Sequence, residues 1–214
     1  MRPLFITFEG LDGSGKSSHL QRASAWLTER RVPLVVTHEP GGTPLGDAVR
    51  SLFLDSRWGA LDGTVELLLV FASRRQQLIE VIEPALAAGR HVLCDRFTDS
   101  TRAYQGGGRG VPLERIDQVD RVATGGRNPD HTLLFDLPAE AARARGHSHR
   151  RRTSGEADRL DAETVEFYQR VRSVYLGLAE REPERFAKID TSGEAGAVQA
   201  EVRRILGGWL GVAP

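Results

Sequence analysis

Gly10-Leu11-Asp12-Gly13-Ser14-Gly15-Lys16-Ser17 follows directly on the apolar run Leu4-Phe5-Ile6-Thr7-Phe8. A G-x-x-x-x-G-K-S spacing between a buried strand and a helix start is built for anion capture. Glycines let successive backbone N–H groups curl around a phosphate, and the helix points its positive dipole end at the same place. Lys16 is placed to reach the β- and γ-phosphates, and the Ser17 hydroxyl suits Mg²⁺. Gly10, Leu11, Asp12, Gly13, Ser14, Gly15, Lys16, Ser17 and Ser18 are therefore the expected nucleotide-binding residues. Lys16 is one of two lysines, with Lys188, in a chain that otherwise uses arginine as its cation. The motif implies a nucleoside triphosphate ligand.

Strands and helices alternate around this loop. Apolar runs predict strands over Leu4–Phe8, Leu34–Thr37, His91–Cys94 and Thr132–Phe135, and more weakly over Phe186–Ile189. Helical periodicity predicts Lys16–Arg30, Leu45–Leu54, Val65–Ala88 (ended by Gly89), Leu113–Ala123, Ala139–Arg145, Ala162–Arg181 and Ala197–Leu210. This is the βαβ pattern of an open parallel sheet covered on both faces, α/β in class. Ligands of such sheets bind beyond the carboxyl ends of the strands. The strands deliver Glu9, Glu39, Asp95-Arg96 and Asp136 to that edge. With no repeat and no linker in the sequence, residues 1–214 read as a single domain. Two segments depart from the pattern: Tyr104–Gly110 reads as a glycine-rich turn, and Gly146–Asp158 as an arginine-rich flap carrying Arg150, Arg151 and Arg152.

Composition excludes several classes. The 29 Lys+Arg balance 29 Asp+Glu, which argues against a nucleic-acid or membrane-surface binder. No apolar run approaches the ~20 residues of a membrane span. The first strand begins almost at the N-terminus, so no signal peptide is expected. Cys94 is the single cysteine and forms no internal disulfide. Together these features predict a soluble, cytoplasmic protein.

Phosphoryl transfer requires alignment of donor and acceptor and cations spread around the migrating group. A GTPase-type N-K-x-D motif is impossible with lysine only at 16 and 188. Arginines stand instead at the expected pocket edge: Arg50, Arg74, Arg75, Arg96 and those near the flap, including Arg143, Arg145 and Arg159. A guanidinium clamps a phosphate with two parallel hydrogen bonds, and more than one clamp implies more than one phosphorylated ligand. The residues thus describe a small kinase whose acceptor is itself phosphorylated.

Phe8-Glu9-Gly10 with the loop, Glu39-Pro40-Gly41-Gly42-Thr43-Pro44, Asp95-Arg96-Phe97, Ala103-Tyr104-Gln105-Gly106 and Asp158-Arg159-Leu160 stand in the order and spacing of thymidylate kinases, which the chain resembles over nearly its whole length. The resemblance implies a P-loop NTPase-type three-layer fold with a five-stranded parallel sheet, conversion of dTMP to dTDP with ATP and Mg²⁺, and a homodimer. It implies that Asp12 meets the acceptor sugar's 3′-hydroxyl, that Arg96 holds the dTMP phosphate, and that Asp95 lies near the metal with Ser17. Arg50 resembles a second phosphate ligand, Glu39 a residue near the reacting phosphates, and Thr101 and Gln105 the residues that bond the pyrimidine edge. Thymine in this family stacks on a phenylalanine four residues before a base-reading arginine. Phe71 and Arg75 have that spacing, but the distance to Pro84–Gly89 favours Arg74, which would put Val70 at the stacking position. Phe71 is the expected stacking residue, with both arginines as candidates. Members lacking an arginine directly after the P-loop aspartate, where this chain has Gly13, supply that cation from the flap, a region spanning about 143–159 here. Arg143, Arg145 or one of Arg150–Arg152 is expected to serve.

Two rival readings remain at this level. Another small P-loop kinase would act on a different nucleotide or on a nucleoside, without need of doubled phosphate clamps. A non-catalytic ATP-binding regulator would have no chemical reason to carry Asp12, Lys16, Ser17, Asp95 and Arg96 together.

Overall fold

A computed structural model describes residues 2–153 and 159–213, the side chains of 147–153 and 161 excepted. Strands β1 (Phe5–Gly10), β2 (Leu34–His38), β3 (His91–Asp95), β4 (His131–Asp136) and β5 (Phe186–Asp190) form one sheet in the order β2-β3-β1-β4-β5. Every pairing is parallel, so each connection crosses over through helices. Helix α1 (Lys16–Glu29) leads from β1 to β2. Between β2 and β3 lie α2 (Pro44–Leu54), α3 (Gly63–Gln77) and α4 (Glu83–Ala87). Then come α5 (Thr98–Thr101) and α6 (Leu113–Thr124), then α7 (Ala139–Thr153) and α8 (Val165–Arg181), with α9 (Ala195–Leu210) after β5. Among the described residues no helix is long and apolar enough to cross a membrane.

Side chains alternate across β1, as a strand requires. Ile6 and Phe8 enter a core with Leu20, Trp26 and Leu27 of α1 and Val202 and Leu206 of α9. Phe5 packs on the other face with Leu78, Ile82, Val92 and Phe97. Thr7 on that second face shares a 2.9 Å hydrogen bond with Thr132. Glu9 has the same parity as Phe5 and Thr7, so it points away from α1, toward α5 and α8.

Three elements differ from the sequence reading. The helix expected over Val65–Ala88 begins at Gly63 and widens to a π-helical turn at Leu78–Ile82 before α4. Pro84 lacks an N–H and its ring crowds the preceding turn, and the wider turn accommodates both. Tyr104–Gly110 is not a turn throughout, because α5 continues into a π-helical segment over Arg102–Gly108. Its glycines serve packing: a Cβ at Gly107 would lie 2.6 Å from Val174 of α8. Helix α7 runs on to Thr153, past the expected end at Arg145, so the front of the flap is helical. Arginine is a good helix former even where no apolar period marks it.

Candidate active site

The loop between β1 and α1 turns on Gly13 and Gly15, both at positive φ, with Gly15 left-handed as the N-cap of α1. At Gly13, φ is +85° and a Cβ would run into the Ala142 carbonyl oxygen of α7. Only glycine fits there, and the lid helix rests on the loop's bare backbone. Asp12, Gly13, Ser14, Gly15, Lys16, Ser17 and Ser18 line one cavity with Arg22, Arg145 and Thr191. Gly10 and Leu11, also expected there, lie behind it: Gly10 is pressed against the Phe135 carbonyl, and Leu11 packs with Ala103 and Tyr104.

A second cavity adjoins the first. It is lined by Glu39, Pro40, Phe53, Val70, Arg74, Arg96, Ser100, Thr101, Tyr104, Gln105 and Leu160, and Asp12 and Arg50 line both cavities. Strand ends supply its polar floor, as the parallel sheet requires. Arg96 follows β3 at φ +77°, an uncommon conformation for a non-glycine residue that marks a constrained site. Its Nη2 donates to Asp12 Oδ1 at 2.7 Å and to the Tyr104 hydroxyl at 3.2 Å. Lys16 Nζ donates to the same Asp12 oxygen at 3.3 Å. Two cations from different elements thus converge on one carboxylate at the junction of the cavities.

Glu39 ends the β2 connection, buried, and its Oε2 accepts from Arg74 Nε at 2.6 Å. Arg74 Nη2 donates to Thr101 Oγ1 at 3.0 Å, while Arg74 Nη1 and Glu39 Oε1 are buried without a partner. Gln105 Nε2 donates to Oε2 of the buried Glu66 at 2.9 Å. Arg159 and Arg109 hold Glu66 Oε1 at 2.5 and 3.0 Å. Arg50 Nη1 donates to the Pro40 carbonyl.

The register of α3 separates the two sequence candidates. Val70 and Arg74 face the cavity. Phe71 does not, a correction to the stacking expectation: it is buried with Leu67 and Ile116, and the Arg74 guanidinium lies 4.5 Å over its ring. Arg75 is likewise turned away, donating to the Ala123 carbonyl of α6 at 3.4 Å. One residue is 100° of helical rotation, enough to swap cavity for core.

Ser17 Oγ donates to Asp95 Oδ2, and Asp95 Oδ1 is buried without a hydrogen-bond partner. Ser17 lines the loop cavity, and a hydroxyl beside a carboxylate fits a hard cation such as Mg²⁺, which takes few protein ligands and fills its shell with phosphates and water. No cluster of three or more His, Cys, Asp or Glu that would hold a metal occurs among the described residues. Of the flap arginines, Arg145 lines the nucleotide cavity and donates to the Thr191 carbonyl at 2.8 Å. Arg143 is half-buried with Nε unpartnered. The side chains of Arg150, Arg151 and Arg152, and residues 154–158, lie outside the described residues.

Burial pushes Glu39 up to about 7, against the lowering effect of Arg74. Glu9 is raised to about 7 by burial first and by Asp99 next. A carboxylate raised in the folded state binds a proton there that the unfolded chain has released, so its contribution to stability falls as pH rises from about 4.5 to 7. His19, His91 and His131 are lowered by burial and work in the opposite direction. The test therefore compares the wild type with Glu39→Gln in urea melts between pH 5 and 7.5. Relative to the variant, the wild type should lose stability with rising pH, by up to about 1.4 kcal/mol per unit. A flat difference would show that Arg74 keeps Glu39 ionised throughout.

A family model described as "Thymidylate kinase" matches residues 8–202. The chain belongs to the thymidylate kinase family. A thymidylate kinase of Chromobacterium violaceum is 49% identical over 202 residues, 94% of this chain and 92% of that one. One from Pseudomonas putida is 46% identical over 208 residues, 97% of both chains. The crystal structure of thymidylate kinase from Ehrlichia chaffeensis superposes with a TM-score of 0.77 at 34% identity, covering 96% of this chain and 99% of that one. The expected α/β fold, a P-loop NTPase-type sheet of five parallel strands flanked by helices, is the fold observed.

Sequence reasoning missed Tyr104 and Ser100 as cavity residues, Glu66 as the support of Gln105, and Tyr175 as the support of Arg96 and Ser100. Tyr104 had a signal, its place in Tyr-Gln-Gly. Tyr175 had none: it lies on a helix that reads as ordinary core, 79 residues from its partner Arg96.

Proposed function

We propose that the chain transfers the γ-phosphoryl group of ATP to dTMP, giving dTDP, within dTTP synthesis. The observation that carries this is the pair of adjoining cavities sharing Asp12 and Arg50, one floored by the phosphate loop and the other lined by Arg96 at the end of β3 and Arg74 of α3. ATP occupies the loop cavity, with backbone amides and Lys16 on its phosphates. The monophosphate lies in the second, its phosphate on Arg96 and Arg50. Val70 packs against the base, and Arg74, Thr101 and Gln105 offer it hydrogen bonds. Asp12 accepts a hydrogen bond from the sugar 3′-hydroxyl.

The chemistry is alignment and charge. Arg96, Arg50 and Lys16 surround the site where negative charge is passed from one nucleotide to the other, in a cleft that excludes water when filled. Arg145 and Arg143 add lid cations. Ser17 and Asp95 hold Mg²⁺, which when bound neutralises charge on the triphosphate oxygens. The second cavity discriminates by leaving buried polar groups unpaired when the wrong base enters.

A homodimer belongs to the same proposal. Leu45 and Leu52 on α2, Val65 and Leu68 on α3, Ile79 just beyond it and Val122 on α6 are exposed. Their i, i+3 and i+7 spacing marks stripes of the kind a second copy covers. Cytoplasmic location is part of the proposal too.

A coupled ADP-release assay with dTMP, dUMP, dCMP, dGMP and thymidine tests the reaction. The highest kcat/KM should be for dTMP, and thymidine should be poor because it leaves Arg96 and Arg50 without a phosphate. Preference for thymidine would favour a nucleoside kinase; ATP binding with no turnover on any acceptor would favour a regulator.

A further inference from the structure

We propose that Tyr175 of α8, acting with Glu9 and Ser100, is a positioning residue for Arg96, holding one edge of its guanidinium so that the other is free for the monophosphate's phosphate. This rests on the reading of the second cavity as the dTMP site.

The contacts are asymmetric. Arg96 Nη1 donates to Ser100 Oγ at 2.8 Å and to the Tyr175 hydroxyl at 3.3 Å. Both hydroxyls donate in turn to Glu9 Oε2, at 2.5 and 2.9 Å, while Glu9 Oε1 accepts from the Phe97 amide at 2.7 Å. The two hydroxyls also lie 2.8 Å apart, within hydrogen-bond reach of each other, so with the Glu9 carboxyl they form one closed cluster against which the guanidinium Nη1 rests. Glu9 makes no hydrogen bond to Arg96; the two hydroxyls stand between the carboxyl and the guanidinium. Burial and the charge of Glu9 push the Tyr175 phenol well above its ordinary value, which keeps it a donor.

The Nη2 edge differs, because it faces Asp12 and Tyr104 on the cavity wall. Binding of a phosphate there exchanges one anionic partner for another, since Asp12 is required by the sugar hydroxyl. An arginine held only by Asp12 would lose its orientation at that moment. The Nη1 edge is held from behind by Glu9, Ser100 and Tyr175, of which only Ser100 lines the cavity. Tyr175 itself is 1% exposed. It reaches Arg96 because α8 is seated flush on the π-helical segment, where Gly107 and Gly108 leave room for Val174 and Phe167. Preorganisation of this kind acts on the group it orients and on nothing else in the site.

The test compares ligands that differ by the phosphate. For Tyr175→Phe, calorimetry should show dTMP binding weakened about tenfold, with thymidine and ATP binding within twofold of wild type. In an Arg96→Ala background Tyr175→Phe should add less than twofold. Ser100→Ala, measured the same way, covers the case in which Tyr175→Phe does not fold. Equal weakening of dTMP and thymidine, unchanged dTMP affinity, or a full tenfold effect without Arg96 would overturn the positioning role. A wild type that binds neither dTMP nor thymidine would instead overturn the reading of the cavity.

Discussion

Lys16→Ala is expected to lower turnover at saturating ATP and dTMP by roughly 10²–10³-fold while the chain stays folded. Lys16 is the first residue of α1 and is nearly buried in the loop. Among the described residues its ion pair is with Asp12, a cavity residue rather than a structural one. Alanine is a better helix former than lysine. What disappears is the cation that follows charge as it builds on the transferring phosphoryl group, a contribution concentrated in the transition state. The loss should therefore fall on kcat more than on KM for ATP, because the loop amides still bind phosphate. A coupled assay and a thermal melt decide the matter. A variant that unfolds, or one retaining more than a tenth of the wild-type rate, would show that Lys16 has been given the wrong role.

Arg96→Ala is expected to lower kcat/KM for dTMP by roughly 10²–10³-fold, the effect of truncating one partner of a desolvated charged hydrogen-bond set. KM for ATP should change by no more than a few-fold, since the residue belongs to the second cavity. Arg96→Lys supplies the sharper comparison. It keeps the charge and loses the planar fork, which meets Asp12 and Tyr104 on one edge and Ser100 and Tyr175 on the other. Recovery should remain at least tenfold short of wild type. Full recovery with lysine would show that a point charge suffices and that the fork's geometry is incidental.

What could be read from the sequence was what local pattern controls. The P-loop, the strand ends carrying Glu9, Glu39 and Asp95-Arg96, and the five strands all follow from short apolar runs and turn chemistry. Three things did not. Gly106–Gly108 suggest a turn by composition but sit inside a helix, because α6 packs close over Gly106 and α8 over Gly107 and Gly108. Helix α7 continues past Arg145 without an apolar stripe to announce it. The choice between Phe71 and Val70 turns on one residue of helical phase, which sequence spacing left open and the packing of α3 against α6 resolves. Support residues were the least legible of all: Glu66 and Tyr175 touch the site through other side chains, and such contacts leave no spacing in the chain.

The crowded backbone at Gly13 bears on how this enzyme's descendants can vary. A side chain at that position would collide with α7, and Arg143 and Arg145, the lid cations of the proposal, ride on that same helix. Supplying charge from the loop and supplying it from above are then alternative architectures, separated by a rigid-body shift. A side chain at position 13 and α7 in its present place exclude each other.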